Sequence, residues 1–162
     1  MTGRGVHFAI TAEQAQVLLA ATDDAARRAI IDELEDAWDA DNAAESDDTW
    51  GVMHRCLTDG QLGRGNGEFP LSHAVLGPRQ LHAGDECVIS LVLPEEVIEV
   101  AHALELATAV WMTARYDHYV PADHVDRGPR DLAYLLTNLD DVRDLYRKAA
   151  VRGRAVVFTV ER

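Results

Sequence analysis

Two histidines and three aspartates fall within ten residues in Asp117-His118-Tyr119-Val120-Pro121-Ala122-Asp123-His124-Val125-Asp126. Imidazole and carboxylate are competent zinc or iron ligands. Asp117, His118, Asp123 and His124 therefore form a candidate metal set, which with an activated water would make a small metal- or His-dependent hydrolase. A loop imposes no ligand geometry, so a solvated polar turn in an Asp-rich chain is the competing reading. Glu99-x-x-His102 has the i, i+3 spacing of carboxylate-bridged di-iron bundles, but it occurs once where such a site needs two copies.

Trp50 and His54 share a helix face at i, i+4. His54 is a candidate base, with Ser72 or Cys56 as a nucleophile, and Trp50, His54 and Ser72 are read as lining a pocket. No Gly-x-Ser-x-Gly elbow surrounds Ser72. A Trp/His pair of this kind also serves as core packing with a hydrogen-bonded imidazole, and no catalytic residue is assigned. Gly60, Gly63, Gly65 and Gly67 invite a phosphate-loop reading. They follow a helix rather than a strand, and no Lys-Ser/Thr comes after them, so they read as a mobile loop. No cofactor is expected.

Charge adds a different candidate. The 162 residues carry 28 acids against 15 Lys and Arg, a formal net charge of −13. Nine of the acids lie between Asp32 and Asp48 with no Lys or Arg among them. Asp36, Asp39, Asp41 and Asp47 are read as a docking surface for a basic protein, because a one-signed field steers association. A solubilising solvated face is the competing reading. The acid excess speaks against a nucleic-acid partner, since phosphate binding rests on Lys and Arg.

The elements that must position these groups follow from spacing. Val6–Ile10 reads as a first strand. Thr11 and Gln14 have capping-box spacing, which opens a helix from about Ala12 to Ala21. Ala26, Ile30, Leu34 and Trp38 recur at i+4 and give the next helix a core face. The set Trp50, Met53, His54, Leu57 makes a third helix, and Pro70 to Leu76 a short one. Cys87–Leu93 is the strongest strand. Pro94 opens a helix to about Tyr116, with Val97, Val100, Ala101, Leu104, Thr108, Trp111 and Met112 inside. Residues 117–128 read as irregular. One helix follows from Pro129, a fresh cap lies at Asn138, and a second helix runs to Arg152. Ala155–Val160 closes the chain as a strand meeting the other two in one sheet. The fold class expected is α+β: one domain over residues 1–162, with about six helices around a small mixed sheet of three to four strands.

Several signatures then stand in a fixed order. They are Trp50-x-x-x-His54-x-x-Leu57-Thr58, Pro70-Leu71-Ser72-x-Ala74-Val75-Leu76-Gly77, the strand into Pro94-Glu95-Glu96, Tyr119-Val120-Pro121, and Tyr146-x-x-Ala149-Ala150-x-x-Gly153. In that order the chain resembles the YfbM-like family, small bacterial proteins with a domain of unknown function. Thr2 departs from the family's Met-Gly start, and Asp59 interrupts its Leu-Thr-Gly step. The resemblance implies a compact α+β fold and no reaction.

No run approaches the roughly 20 apolar residues of a membrane span, and the first residues lack a secretory pattern. The expected location is the cytoplasm, with no membrane partner. Cys56 and Cys87 are then separate reduced thiols. The function expected is a non-enzymatic binding or interaction module, with the hydrolase as its alternative.

Overall fold

Thr11 caps the first helix as its spacing predicts: its Oγ1 accepts from Gln14 N at 3.1 Å, and Gln14 Oε1 accepts from Thr11 N at 2.8 Å. The computed structural model describes residues 3–161, so Thr2 lies outside it. Strand β1 (Arg4–Ile10) leads into α1 (Ala12–Ala20) and α2 (Asp24–Ala37). A 3₁₀ turn (Ala40–Asn42), β2 (Ala43–Asp47), α3 (Trp50–Leu57) and a second 3₁₀ turn (Leu71–His73) follow. Then come β3 (Gln80–His82), β4 (Cys87–Val92), α4 (Pro94–Glu105), α5 (Ala109–Tyr119), α6 (Pro129–Arg152) and β5 (Ala155–Glu161). The fold is α+β, with six α-helices among the described residues.

The sheet has five strands in the order β2-β1-β5-β4-β3, every neighbouring pair antiparallel. This corrects the expected mixed sheet of three to four strands, although the three anticipated strands do form its centre. The two missed strands are the edges. β2 lies inside the acidic run, where Glu45 and Asp47 hide any apolar pattern. β3 is three residues long. Short or charged strands are how sheets blunt an edge against pairing with other chains, so both are hard to read from periodicity.

Both faces of the sheet are covered. Val6, Phe8, Ile10, Ile89, Leu91 and Val157 pack with Ala15, Leu18 and Ile31 of α1 and α2. Val156, Phe158 and Val160 pack with α3 to α6 on the opposite face. Cys56 belongs to the second layer and Cys87 to the first, and both are free, buried thiols. Burial pushes the Cys56 thiol up to about 12, far from a nucleophilic thiolate.

Helix boundaries bring further corrections. The α2 stripe is only half covered: Ile31 is buried, Ile30 and Leu34 are half-buried, and Ala26 is exposed. Trp38 falls beyond the helix as its left-handed cap. The expected helix at Pro70 to Leu76 shrinks to the 3₁₀ turn, and the expected break at Asn138 does not occur. Asn138 instead sits buried within α6 and donates to Thr49 Oγ1 at 3.1 Å. The expected single helix from Pro94 is two, α4 and α5, meeting at 91°. Thr108 makes the corner by accepting from Trp111 N, and α5 runs on to Tyr119, taking Asp117 and His118 into its last turn. Replacing Thr108 with Ala should cost about 1 kcal/mol, the usual value of an N-cap. A urea midpoint matching wild type would show that packing alone sets the corner.

Candidate functional site

Trp50, His54 and Ser72 do not converge on a common pocket. Trp50 is wholly buried, its Nε1 donating to Gly3 O at 2.9 Å and its ring 5.8 Å from that of Phe158. Gly5 permits this, because a Cβ there would lie within 3 Å of both rings. His54 has both ring nitrogens engaged. Nε2 lies 2.6 Å from Asn66 Oδ1, and Nδ1 faces Leu76 N at 3.4 Å. That pattern assigns the neutral tautomer with the proton on Nε2, and burial lowers the pKa further. No lone pair is left for a general base. His54 fastens the loop before the 3₁₀ turn to α3.

Ser72 has a different histidine partner. Its Oγ is 3.1 Å from His73 Nδ1, and His73 Nε2 is 3.4 Å from Glu96 Oε2. Glu96 is held by Arg79 at 2.6 Å and by Leu93 N at 2.9 Å. The order Ser–His–Glu follows triad logic, but Ser72 is 3% exposed and does not line the largest cleft. Without access to a substrate, the array ties the 3₁₀ turn to α4.

The four candidate metal ligands are also dispersed. Asp117 and His118 end α5 with exposed side chains, and the His118 ring packs edge-on against Tyr119. His124 Nε2 lies 3.4 Å from Asp131 Oδ2, while Asp123 points to solvent. Among the described residues no group of three His, Cys, Asp or Glu is placed to hold a metal ion. The loop is closed by Arg127, which donates to the Asp117 and Val120 carbonyls. Glu99 and His102 are both exposed on α4.

The acidic run is divided among three elements. Asp36 is exposed near the end of α2. Asp39 caps the first 3₁₀ turn by accepting from Asp41 N and Asn42 Nδ2, which holds its carboxyl below the usual range. Asp41 is exposed within that turn, and Asp47 accepts from Tyr134 Oη at 2.9 Å. Arg4 clamps Glu45 at 2.6 Å and Glu35 at 3.2 Å. Part of the run thus has a local structural task.

The largest cleft lies elsewhere, between the loop after α3 and the α4–α5 corner. Its volume is about 540 Å³, within the range of small-ligand pockets. Leu57, Phe69, Leu71, Leu106 and Trp111 give it apolar walls, and Phe69 and Leu106 are 48% and 70% exposed. Arg115 stands in the lining with its guanidinium 4.4 Å from the Trp111 ring centre and 4.8 Å from that of Tyr119. It donates through Nε to Cys56 O and through Nη2 to Thr58 O. Asp59 and Glu68 supply the carboxylates of the lining. Asn66 laces the intervening loop, donating to Thr58 Oγ1, Asp59 Oδ1 and Gln61 O. The glycine-punctuated loop is therefore braced from within. Gly60, at φ +86°, lets Tyr119 press against it where any Cβ would collide.

Trp111, Arg115 and Tyr119 recur at i, i+4 and i+8. That spacing is the signal the sequence reading overlooked, since Trp111 was absorbed into an apolar stripe.

The fold that holds these groups has known relatives. A family model described as "Domain of unknown function (DUF1877)" matches residues 1–159, and the chain belongs to that family. No match was found among curated proteins. The crystal structure of YfbM from Escherichia coli, a protein of unknown function, is similar in fold with a TM-score of 0.68. The two are 19% identical over 97% of this chain and 99% of that one.

Proposed function

We propose that the protein is a non-enzymatic binding module whose binding site is the cleft at the α4–α5 corner. The carrying observation is the composition of that cleft. Aromatic and aliphatic side chains are exposed around one fixed cation, and among the described residues no Ser, Cys or His lines it. A solvent-facing apolar wall with a few placed polar groups is what a ligand site requires.

A second reading keeps the acidic face as a docking surface for a basic protein. One observation favours it. Glu35 and Asp36 stand in the last turn of α2, which has no basic residue. Carboxylates there oppose the helix dipole at roughly 0.3–1 kcal/mol each. Arg4 offsets Glu35, and Asp36 has no such partner among the described residues.

Affinity capture from a lysate of the source organism separates the two. The baits are the wild type, Leu106→Arg, and a variant carrying Asn at positions 36, 39, 41 and 47. Leu106 is exposed, so its substitution should leave the fold intact. Partners lost by at least tenfold with Leu106→Arg but kept by the neutralised variant support the cleft. The reverse pattern supports the acidic face. Identical recovery with all three baits removes the acidic face and any protein occupant of the cleft.

A further inference from the structure

The lining of the cleft carries charges of both signs. Arg115 is fixed by two aromatic faces and two carbonyl acceptors. Its third nitrogen, Nη1, has no acceptor, and no carboxylate pairs with the guanidinium among the described residues. A half-buried cation without a counter-ion is a costly group to keep. Asp59 is equally fixed. Its Oδ1 accepts from Asn66 Nδ2 and Gln61 N, which hold the carboxyl ionised, while Oδ2 has no partner. Arg115 grips the carbonyl of Thr58, the residue before Asp59, and both Arg115 and Asp59 line the cleft. Yet they form no ion pair with each other, and Glu68 forms none with Arg115. The apolar-walled cleft thus carries a cation and two carboxylates that do not pair with one another.

A simple anion in that space would meet Asp59 and Glu68, and a simple cation would meet Arg115. A ligand carrying both charges satisfies each. We infer that the cleft binds the zwitterion of an apolar α-amino acid or short apolar peptide, with its carboxylate on Arg115, its ammonium toward Asp59 and Glu68, and its side chain on the Phe69, Leu106 and Trp111 wall. With Nε and one N–H of Nη2 engaged, the remaining N–H of Nη2 and one N–H of Nη1 lie side by side at the end of the guanidinium, the fork that suits a carboxylate. The inference rests on the cleft being the binding site and adds the chemical class of the ligand.

The test is calorimetric titration of the full chain with L-phenylalanine and with the dipeptide Phe-Leu. N-acetylphenylalanine lacks the ammonium and phenylalaninamide lacks the carboxylate, so they serve as the single-charge analogues. The expected result is binding of at least one zwitterion, with both analogues weaker by at least tenfold. Asp59→Asn, at an exposed position, should weaken the zwitterion by a similar factor while leaving N-acetylphenylalanine unchanged. Preference for the free amino acid or for the dipeptide identifies which source fits. Equal binding of zwitterions and single-charge analogues overturns the inference, as does no binding of either zwitterion. If the zwitterions fail while Leu106→Arg still loses a captured partner, the inference falls and the binding-module reading stands.

Discussion

Deletion of residues 154–162 is expected to leave no soluble, folded protein. The segment contains β5, the central strand of five, hydrogen-bonded to β1 on one side and β4 on the other. Val156, Val157, Phe158 and Val160 are at most 2% exposed and feed both layers of the core. Each such side chain contributes about 1.5–3 kcal/mol on burial, so four of them rival the roughly 5–15 kcal/mol that holds a whole domain together. The deletion would also open two apolar strand edges, which invite pairing between chains. Expression of the shortened chain, followed by the soluble fraction and a thermal melt, checks this. A soluble product with a cooperative transition would show that β1 and β4 can close the sheet by themselves.

Acid should weaken the fold through His7. This side chain is 0% exposed in β1, its Nε2 donates to Ala74 O at 2.7 Å, and its Nδ1 has no partner. Burial pushes its pKa from 6.5 down to about 4. Because the folded state resists the proton, the unfolded state takes it up first as pH falls below 6.5. Stability is then complete above 6.5 and declines until the folded histidine also charges near pH 4, a total of about 3 kcal/mol at roughly 1.4 kcal/mol per unit. His54 and His73 are lowered by burial too and act with the same sign. The carboxyls held below their usual range, Glu45 and Glu96 among them, lose their contribution only at lower pH. Urea titrations from pH 7.5 to 5 should therefore show a falling stability whose slope is reduced in His7→Leu. That variant leaves Ala74 O with Tyr146 Oη as donor, 3.1 Å away. An unchanged slope in His7→Leu would assign the effect to other groups.

What could be read from the sequence was whatever local chemistry decides. The Thr11–Gln14 capping box, the Pro94 helix start and the three central strands follow from side chains acting within a few residues. The ordered signatures also pointed to the right family and fold class. What could not be read depends on distant partners. Asn138 looked like a cap because its acceptor, Thr49, is far away in the chain. Thr108 fits an apolar stripe and a cap equally well, and only the packing of α4 against α6 selects the turn. β2 is a strand because β1 needs a neighbour, not because of its own residues. The cleft was illegible for the same reason. Its cation, aromatic faces and carboxylates come from α5, the 58–69 loop and the α4–α5 corner, and no linear motif joins them. His54 and Ser72 were conspicuous by type, yet the structure spends their polar atoms on fastening loops.

The antiparallel pairing of β1 with β5 sets Arg4 opposite Glu161. A ribosome delivers β1 well before β5, with residues 11–154 in between. The inner edge of β1 must therefore wait, unpaired, until β5 emerges. Contacts this remote in sequence are slow to close, so the backbone groups on that edge of β1 stay without their partner strand while the helices that cover Val6, Phe8 and Ile10 are already made. While the chain is being made, its unpaired first strand is a natural target for chaperones that hold unfolded chains.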